Sequence, residues 1–233
     1  NNNNNKFIYM AIRRGPLAVP KVATEVFAID TSGSSAPYFD SGFPVDMSFW
    51  RPISSANTQI ASRFTGNKRM YTNLTSSEGS SSAHAWDYMG GWYNGGINNE
   101  YSWMWKKAPS YFDVVAYTGD ANDQVVSHAL GIKPDMIIIK ARNATSDWSV
   151  YHSGLTGSGA NYSIKLNTTA AEANIGGLVA TASAFTLYDT NAVNANAKTY
   201  VAYLFATTPG VSKVGSVTHS GSSTDVNCGF SNG

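Results

Sequence analysis

Residues 100–109 read EYSWMWKKAP, and an equivalent run, rich in aromatic residues and ended by proline, occurs twice more in the chain. The other two runs are KFIYMAIRRGP at residues 6–16 and TYVAYLFATTP at residues 199–209. A second strand-like run follows each proline, at residues 22–29, 112–117 and 211–217. A pattern that returns after about a hundred residues indicates a duplicated structural module, because a fixed period is how repeat architectures show themselves in a sequence.

Two further pairs of matching segments lie between these runs in the same order. Residues 42–47 (GFPVDM) match residues 131–136 (GIKPDM), and residues 72–78 (TNLTSSE) match residues 166–172 (LNTTAAE). Collinear matches separated by loops of different length are expected of duplicated modules, since loops vary more than the scaffold. Chance matching is the alternative, because glycine, serine, threonine and asparagine recur so often in this chain.

The repeat predicts how the chain is divided. Residues 1–20 are interpreted as the end of a preceding module or a linker, and the asparagines at 1–5 as a tail or linker that cannot pack a core. Residues 21–108 form the first module and residues 109–208 the second, joined end to end. Residues 209–233 begin a further module or form a terminal arm, with strands expected at 211–217 and 225–230.

The secondary-structure signals favour strands throughout. Residues 136–140 (MIIIK) form a continuous β-branched run, as in a strand that is buried on both faces. About six or seven such runs fit in one module of roughly a hundred residues, separated by glycine, asparagine, aspartate and proline. The predicted fold class is all-β, with tandem antiparallel β-sandwich modules of the jelly-roll or Ig-like kind.

The composition excludes several classes of protein. Only 13% of the 233 residues are charged and the net charge is +1, so the electrostatic pattern of a nucleic-acid-binding protein is missing. No apolar run reaches the length of a membrane-spanning helix. The single cysteine, Cys228, excludes an internal disulfide and a cysteine zinc cluster. We therefore expect no nucleic-acid partner and no membrane insertion.

The sequence gives no catalytic or metal-ligating pattern. The four histidines, at 84, 128, 152 and 219, lack the spacing that places two imidazoles on one metal. Residues 189–198 loosely resemble a calcium-binding loop but lack its glycine and its terminal glutamate. We predict no catalytic residues, no metal and no cofactor, and we predict that the protein is not an enzyme.

The acidic residues that the repeat pairs are interpreted as turn caps. A glycosidase needs two carboxylates across a cleft, whereas Asp46 is matched by Asp135 and Glu78 by Glu172, one of each in each module. Aspartate at the entrance of a strand commonly caps a turn. A structural role therefore explains why both positions recur.

The segment 84–105 carries most of the candidate recognition residues. Tyr101, Trp103 and Trp105 alternate and are expected to share one strand face that packs in the core. Trp92 and Tyr93 lie between two glycine pairs, at what reads as an exposed loop tip. Exposed aromatic side chains stack on sugars or anchor protein partners, so we predict Trp92 and Tyr93 as contacts to a glycan or a protein.

The second module resembles a family of known proteins. The strings FDVVAYTG at 112–119 and VSHALGIKPDMIIIK at 126–140 resemble a module of bacteriophage virion structural proteins, especially tail-fibre-like proteins of marine phages and cyanophages. Segments 148–152, 166–171 and 200–206 continue the pattern in order. The resemblance covers residues 112–230 well and residues 6–108 more weakly. It implies a virion component built of tandem β modules, without catalytic residues.

Low charge, abundant glycine, asparagine, serine and threonine, and tandem β modules suit a rigid spacer exposed to solvent. We therefore expect a tail fibre or another tail appendage that takes part in host-surface recognition. The expected location is the virion, on the tail in preference to the capsid surface. The expected partners are other virion proteins, further copies of the chain, with a trimer as one form, and a host-surface glycan. Two alternatives stay open: a capsid decoration or surface fibril protein, and a carbohydrate-binding or carbohydrate-degrading domain.

Overall fold

The structure is a computed structural model that describes residues 17–54, 57–81, 83–95, 99–175, 177–188, 192–219, 221 and 223–230. Within these residues, antiparallel strands dominate the regular structure, and the helices are two short 3₁₀ turns, Ala23–Glu25 and Thr156–Gly159. The predicted class, all-β with antiparallel β-sandwich modules, is confirmed. The expectations for residues 1–16 and for the start of the calcium-like loop, 189–191, lie outside the described residues.

The strands follow each other closely along the chain. Their bounds are β1 Phe27–Thr31, β2 Phe39–Asp40, β3 Met47–Pro52, β4 Gln59–Ser62, β5 Lys68–Tyr71, β6 Gly79–Ser80, β7 Gly91–Trp92, β8 Glu100–Trp105, β9 Phe112–Thr118, β10 Gln124–Ser127, β11 Met136–Ala141, β12 Ser149–His152, β13 Tyr162–Lys165, β14 Ala173–Asn174, β15 Leu178–Ala180, β16 Ala184–Leu187 and β17 Thr199–Phe205.

Two six-stranded sheets have the same strand order. The first large sheet runs β1-β8-β3-β4-β5-β6, and the second large sheet runs β9-β17-β11-β12-β13-β14. In the first large sheet β8 lies between β1 and β3, and in the second large sheet β17 lies between β9 and β11. The last strand of each module is thus inserted between two earlier strands. The aromatic runs at 100–109 and 199–209 therefore hold the same place in the two sheets. The module boundaries proposed from the sequence remain a prediction.

A small sheet covers the outer face of each large sheet. The first small sheet pairs β2 with β7, and the second has the order β10-β16-β15. Each large sheet encloses an apolar core with its small sheet. The first core includes Phe39, Trp50, Trp92 and Met104, and the second includes Ile137, Ile139, Phe185, Leu187 and Leu204.

A third core lies between the inner faces of the two large sheets, and it is called the interface core here. It joins Met47, Ile60 and Met70 of the first sheet to side chains of the second sheet, namely Val114, Ile138, Trp148, Val150, Val201 and Tyr203. The modules are therefore stacked face to face in four layers. The end-to-end arrangement expected from the sequence is wrong, because both large sheets have an apolar inner face that each buries on the other.

Three hydrogen-bonded turns lie at the border of this core. The amide N–H groups of Val26, Tyr111 and Val211 each donate to a carbonyl oxygen three residues earlier, over 3.0, 3.3 and 2.9 Å respectively. All three side chains are buried in the interface core. Ser110 and Gly210 hold the same left-handed position in the second and third turns, with φ of 62° and 74°. The turn that contains Pro109 is thus repeated at Pro209, whereas residues 23–26 form a 3₁₀ turn without a left-handed residue.

The structure corrects three of the predicted strands. The run at 22–29 becomes a strand only from Phe27, because residues 23–25 form the first of these turns. Residues 211–217 contribute only the bridge between Ser212 and Thr208, and the described residues of 225–230 form no strand. Within the described residues no neighbouring strand lies beside this tail, so its backbone has no ladder to join.

Candidate functional site: the aromatic face of the first large sheet

Trp92 is buried, so the exposure predicted for it is wrong. Its side chain has no solvent-accessible surface, and its ring stacks on Trp86 at a centroid distance of 4.8 Å and meets Trp50 at 5.1 Å. Gly91 allows this placement, since a Cβ there would lie 2.0 Å from the carbonyl oxygen of Phe39 on the neighbouring strand. Gly91 and Trp92 therefore belong to the first small sheet and not to an exposed loop tip.

Tyr93, the second predicted contact residue, is only partly buried. Its ring lies 4.9 Å from that of Tyr38, with the two planes tilted by 50°. Its backbone is bridged to Ala85, which fixes the segment that carries it. Of the two predicted residues, Tyr93 is the one with solvent-accessible surface, and its role in binding stays a prediction.

Polar side chains beneath this aromatic cluster bond to one another inside the first module. The indole N–H of Trp92 donates to the hydroxyl of Ser102 over 3.0 Å, and the hydroxyls of Ser102 and Ser48 are 2.7 Å apart. Asn94 donates to the carboxyl of Glu100, whose pKa is raised by burial. Burial also lowers the pKa of His84 to about 4. These groups lie between the first large and small sheets, where they hold the layers together.

The aspartates that the repeat pairs have a structural role, as predicted, but each bonds to a distant segment and does not cap its own turn. Asp46 accepts the amide N–H of Lys107 over 2.7 Å, and Asp135 accepts that of Thr207 over 2.8 Å. Each carboxylate thus holds the chain just after the last strand of its module. Asp46 also pairs with Arg63 at 3.2 Å, although burial raises its pKa.

The two paired glutamates have different partners. Glu172 is exposed and accepts the amide N–H of Thr156 within the second module, over 3.0 Å. Glu78 instead reaches the other module, where it accepts from the guanidinium of Arg142 over 2.8 Å. The backbone of the same two residues is also bonded, from the Glu78 amide to the Arg142 carbonyl oxygen over 2.8 Å. Residues 72–78 are therefore a connection between the modules.

Trp148 anchors this connection at its other end. Its side chain is fully buried, and its indole N–H donates to the carbonyl oxygens of Tyr71 and Leu74 over 3.0 and 3.1 Å. Lys140, also fully buried, donates from Nζ to the carbonyl oxygen of Thr75 over 3.2 Å. Burial lowers the pKa of Lys140 to about 8, and the charge of Asp147 opposes that shift. Buried bonds of this kind fix how the modules are oriented.

One aromatic face of the first large sheet is only partly covered by the second module. It is called the aromatic face here, and it consists of Ile29, Phe49, Tyr101, Trp103 and Trp105 on adjacent strands β1, β8 and β3. Ile29 is 57% exposed and Tyr101 43% exposed, while Trp103 is partly buried. The sequence predicted correctly that Tyr101, Trp103 and Trp105 share a face. Trp105 packs against the interface core as expected, but the core packing expected for Tyr101 and Trp103 is wrong.

The matching positions of the second large sheet are buried. Strand registers pair Val114 with Tyr203 as they pair Ile29 with Trp103, so the two pairs occupy equivalent places. Val114 and Val201 have no solvent-accessible surface, and Tyr203 is 1% exposed. Burial raises the pKa of the Tyr203 phenol. The two sheets are therefore packed out of register, which leaves one corner of the first sheet open.

An apolar cleft of about 340 Å³ adjoins the aromatic face. Phe27, Phe49 and Trp105 line it from the first sheet, and Met136, Ile138 and Phe205 from the second. The tail residues 211–214 close one side. Since Phe49 and Trp105 belong both to the cleft and to the aromatic face, the two form one continuous apolar surface.

The described residues show no other constellation that points to chemistry. Among them, no three His, Cys, Asp or Glu side chains form a group that would hold a metal ion. The imidazoles of His128 and His152 each accept a nearby amide N–H, from Leu130 over 3.3 Å and from Gly154 over 2.9 Å. In the same parts of the chain, no helix has the length and apolar character needed to cross a membrane.

A comparison with protein families gives one match. The family model described as a domain of unknown function, DUF7483, matches residues 42–232. The match begins before β3 and includes most of the first module, the whole second module and the tail. No curated protein and no solved structure matches the chain.

Proposed function

Since the chain belongs to the DUF7483 family, we propose that this family domain serves here as a structural component of a tailed-phage virion. The proposed place is a tail fibre or another tail appendage that takes part in host-surface recognition. Two features support the proposal: the resemblance of residues 112–230 to a module of phage virion proteins, and the way in which the two modules are fixed to each other.

The cross-module bonds carry the proposal furthest. Trp148, Lys140 and Arg142 of the second module each bond to residues 71–78 of the first, and two of these three side chains are fully buried. Breaking a buried polar contact leaves a partner unsatisfied and costs about 1–3 kcal/mol. Two modules joined by such bonds form a rigid unit that resists mechanical force, as a fibre segment must.

Recognition in this proposal depends on surface residues that repeat in many copies of the chain. Weak contacts become strong when several copies engage one surface, because each later contact forms at high effective concentration. Tyr93 is the proposed contact to a host-surface glycan or protein, since it keeps accessible surface beside Tyr38. Trp92 does not serve as such a contact, because it is buried in the first core.

Immunogold electron microscopy tests the assignment directly. Antibodies raised against the purified chain are applied to intact particles of the phage whose genome encodes it, with serum absorbed on the same chain as the control. The proposal predicts gold on the tail. Gold on the head would replace it with the capsid decoration or surface fibril alternative. Particles that lack both the label and the chain on protein gels would contradict a virion role.

A binding assay tests the recognition part separately. The labelled chain is incubated with host cells, and Tyr93→Ala is compared with Tyr188→Ala, a change at a tyrosine of the second module that is 36% exposed. Loss of binding in Tyr93→Ala alone is the expected result. Equal binding by both variants would remove Tyr93 from the proposal. New reducing ends from host polysaccharide would support the carbohydrate-degrading alternative instead.

A further inference from the structure

We propose that the aromatic face and the adjoining apolar cleft form a self-association surface, occupied by a second copy of this chain. The proposal goes beyond the virion assignment and does not rest on it. It rests on an apolar surface that the described part of the chain leaves exposed, and on the packing that buries the equivalent surface of the second large sheet.

The duplicated sheets provide the comparison that carries the argument. The equivalent positions Val114, Val201 and Tyr203 of the second sheet are buried in the interface core, together with Met47, Ile60 and Met70 of the first module. The inner face of this kind of sheet is therefore built to pack against a module of the same fold. At the open corner of the first sheet, no described residue takes that role, and we assign it to a second copy of the chain.

The chemistry of the surface favours a protein partner. Ile29 and Tyr101 stand exposed at its rim, and the six sheet residues that line the cleft are all apolar, while Ser212 and Lys213 of the tail supply the polar lining at one side. A sugar-binding site needs several convergent polar groups to satisfy hydroxyls, whereas a contiguous apolar surface marks a protein–protein contact. The cleft is large enough to receive side chains of the partner.

A second copy fits because the surface continues the interface core. Phe27, Trp105 and Phe205, which line the cleft, also pack against the interface core, so a partner on this face would extend an apolar interior that already joins two modules. An apolar face that meets its own copy buries both surfaces from water, and this is the main driving force for association.

Sedimentation equilibrium of the purified chain tests the proposal. The unmodified chain is expected to self-associate at micromolar concentrations. The double variant Ile29→Ser/Tyr101→Ser is expected to raise the dissociation constant about tenfold or more, since buried apolar anchors dominate such contacts. The matched control is Val125→Ser/Phe64→Ser, which changes one aliphatic and one aromatic residue of similar exposure, 66% and 46%, away from this face.

Thermal unfolding of both variants shows whether they are folded. Both are expected to be folded, because the substituted positions are exposed. A chain that remains a single copy up to about 100 μM would overturn the proposal, as would an oligomer that both variants leave unchanged. If the single chain instead binds a soluble oligosaccharide and Ile29→Ser/Tyr101→Ser abolishes that binding, the surface belongs to a glycan and the proposal is equally overturned.

Discussion

Trp103 and Tyr203 hold equivalent positions in the last strands of the two modules, but Tyr203 lies sealed between the large sheets while Trp103 is partly exposed. Their surroundings differ because the two sheets are packed out of register. The two large sheets thus share their strand order but differ in packing. Equivalent residues of the two sheets therefore contribute differently to the free energy of unfolding.

The first prediction concerns this pair of residues. Tyr203→Ala is expected to lower the free energy of unfolding by about 3–5 kcal/mol, as for other large buried aromatic side chains. Trp103→Ala is expected to cost less than about half of that, because part of its surface is already in water. Urea unfolding of both variants measures the difference, and equal losses would contradict the packing described here.

Trp148→Phe is expected to destabilise the chain by about 2–4 kcal/mol. The change removes the indole N–H and leaves the carbonyl oxygens of Tyr71 and Leu74 without that donor, in addition to a small loss of packing. The matched variant Trp92→Phe also removes a buried indole N–H, but from a bond within the first module. Urea unfolding followed by separate probes in each module is expected to show loss of coupling between the modules in Trp148→Phe only. The same loss in Trp92→Phe would show that the connection at residues 71–78 has no special role.

The lowered pKa of Lys140 predicts that the free energy of unfolding rises at alkaline pH. Its folded pKa is about 8, below the ordinary value of 10.5, so between these values the unfolded chain holds a proton that the folded chain has released. Stability due to this group therefore increases with pH in that window, by up to about 1.4 kcal/mol per pH unit. The test is the difference in unfolding free energy between the native chain and Lys140→Met from pH 7.5 to 10. A difference that does not change with pH would refute the prediction.

Above pH 10, the buried tyrosines Tyr117 and Tyr203 oppose this rise in stability, because burial raises their pKa values.

The lowered pKa of His84 predicts that the free energy of unfolding falls in acid. The folded pKa is about 4 and the ordinary value is 6.5, so the unfolded chain binds the proton first as the pH falls. The contribution of His84 is complete above pH 6.5 and is lost progressively towards pH 4. Measured against His84→Gln, the native chain is expected to lose stability in this window. Parallel profiles for the native chain and His84→Gln would show that His84 is not the group responsible.

Much of the fold could be predicted from the sequence because it depends on local patterns. Alternation, β-branched runs and the repeated prolines indicated the strands and their duplication, and the match of Asp46 with Asp135 indicated a structural role that both carboxylates have. These features are set by neighbours along the chain or by the adjacent strand, so the residues that determine them are visible in short segments.

The candidate site could not be predicted in the same way, because it depends on contacts between distant segments. Trp92 is buried by pairing with Phe39, in a two-residue strand that has no clear signal. The matched segments at 72–78 and 166–172 look alike, yet Glu78 bonds to the other module and Glu172 to its own. The open corner at Tyr101 follows from how the sheets are offset, and no single strand contains that information.

Differential scanning calorimetry of the unmodified chain tests the central claim most directly, namely that the two duplicated sheets form one cooperative body through a shared core and buried bonds. The account predicts a single transition whose calorimetric enthalpy equals the van't Hoff enthalpy. Two separable transitions, one for each module, would contradict it.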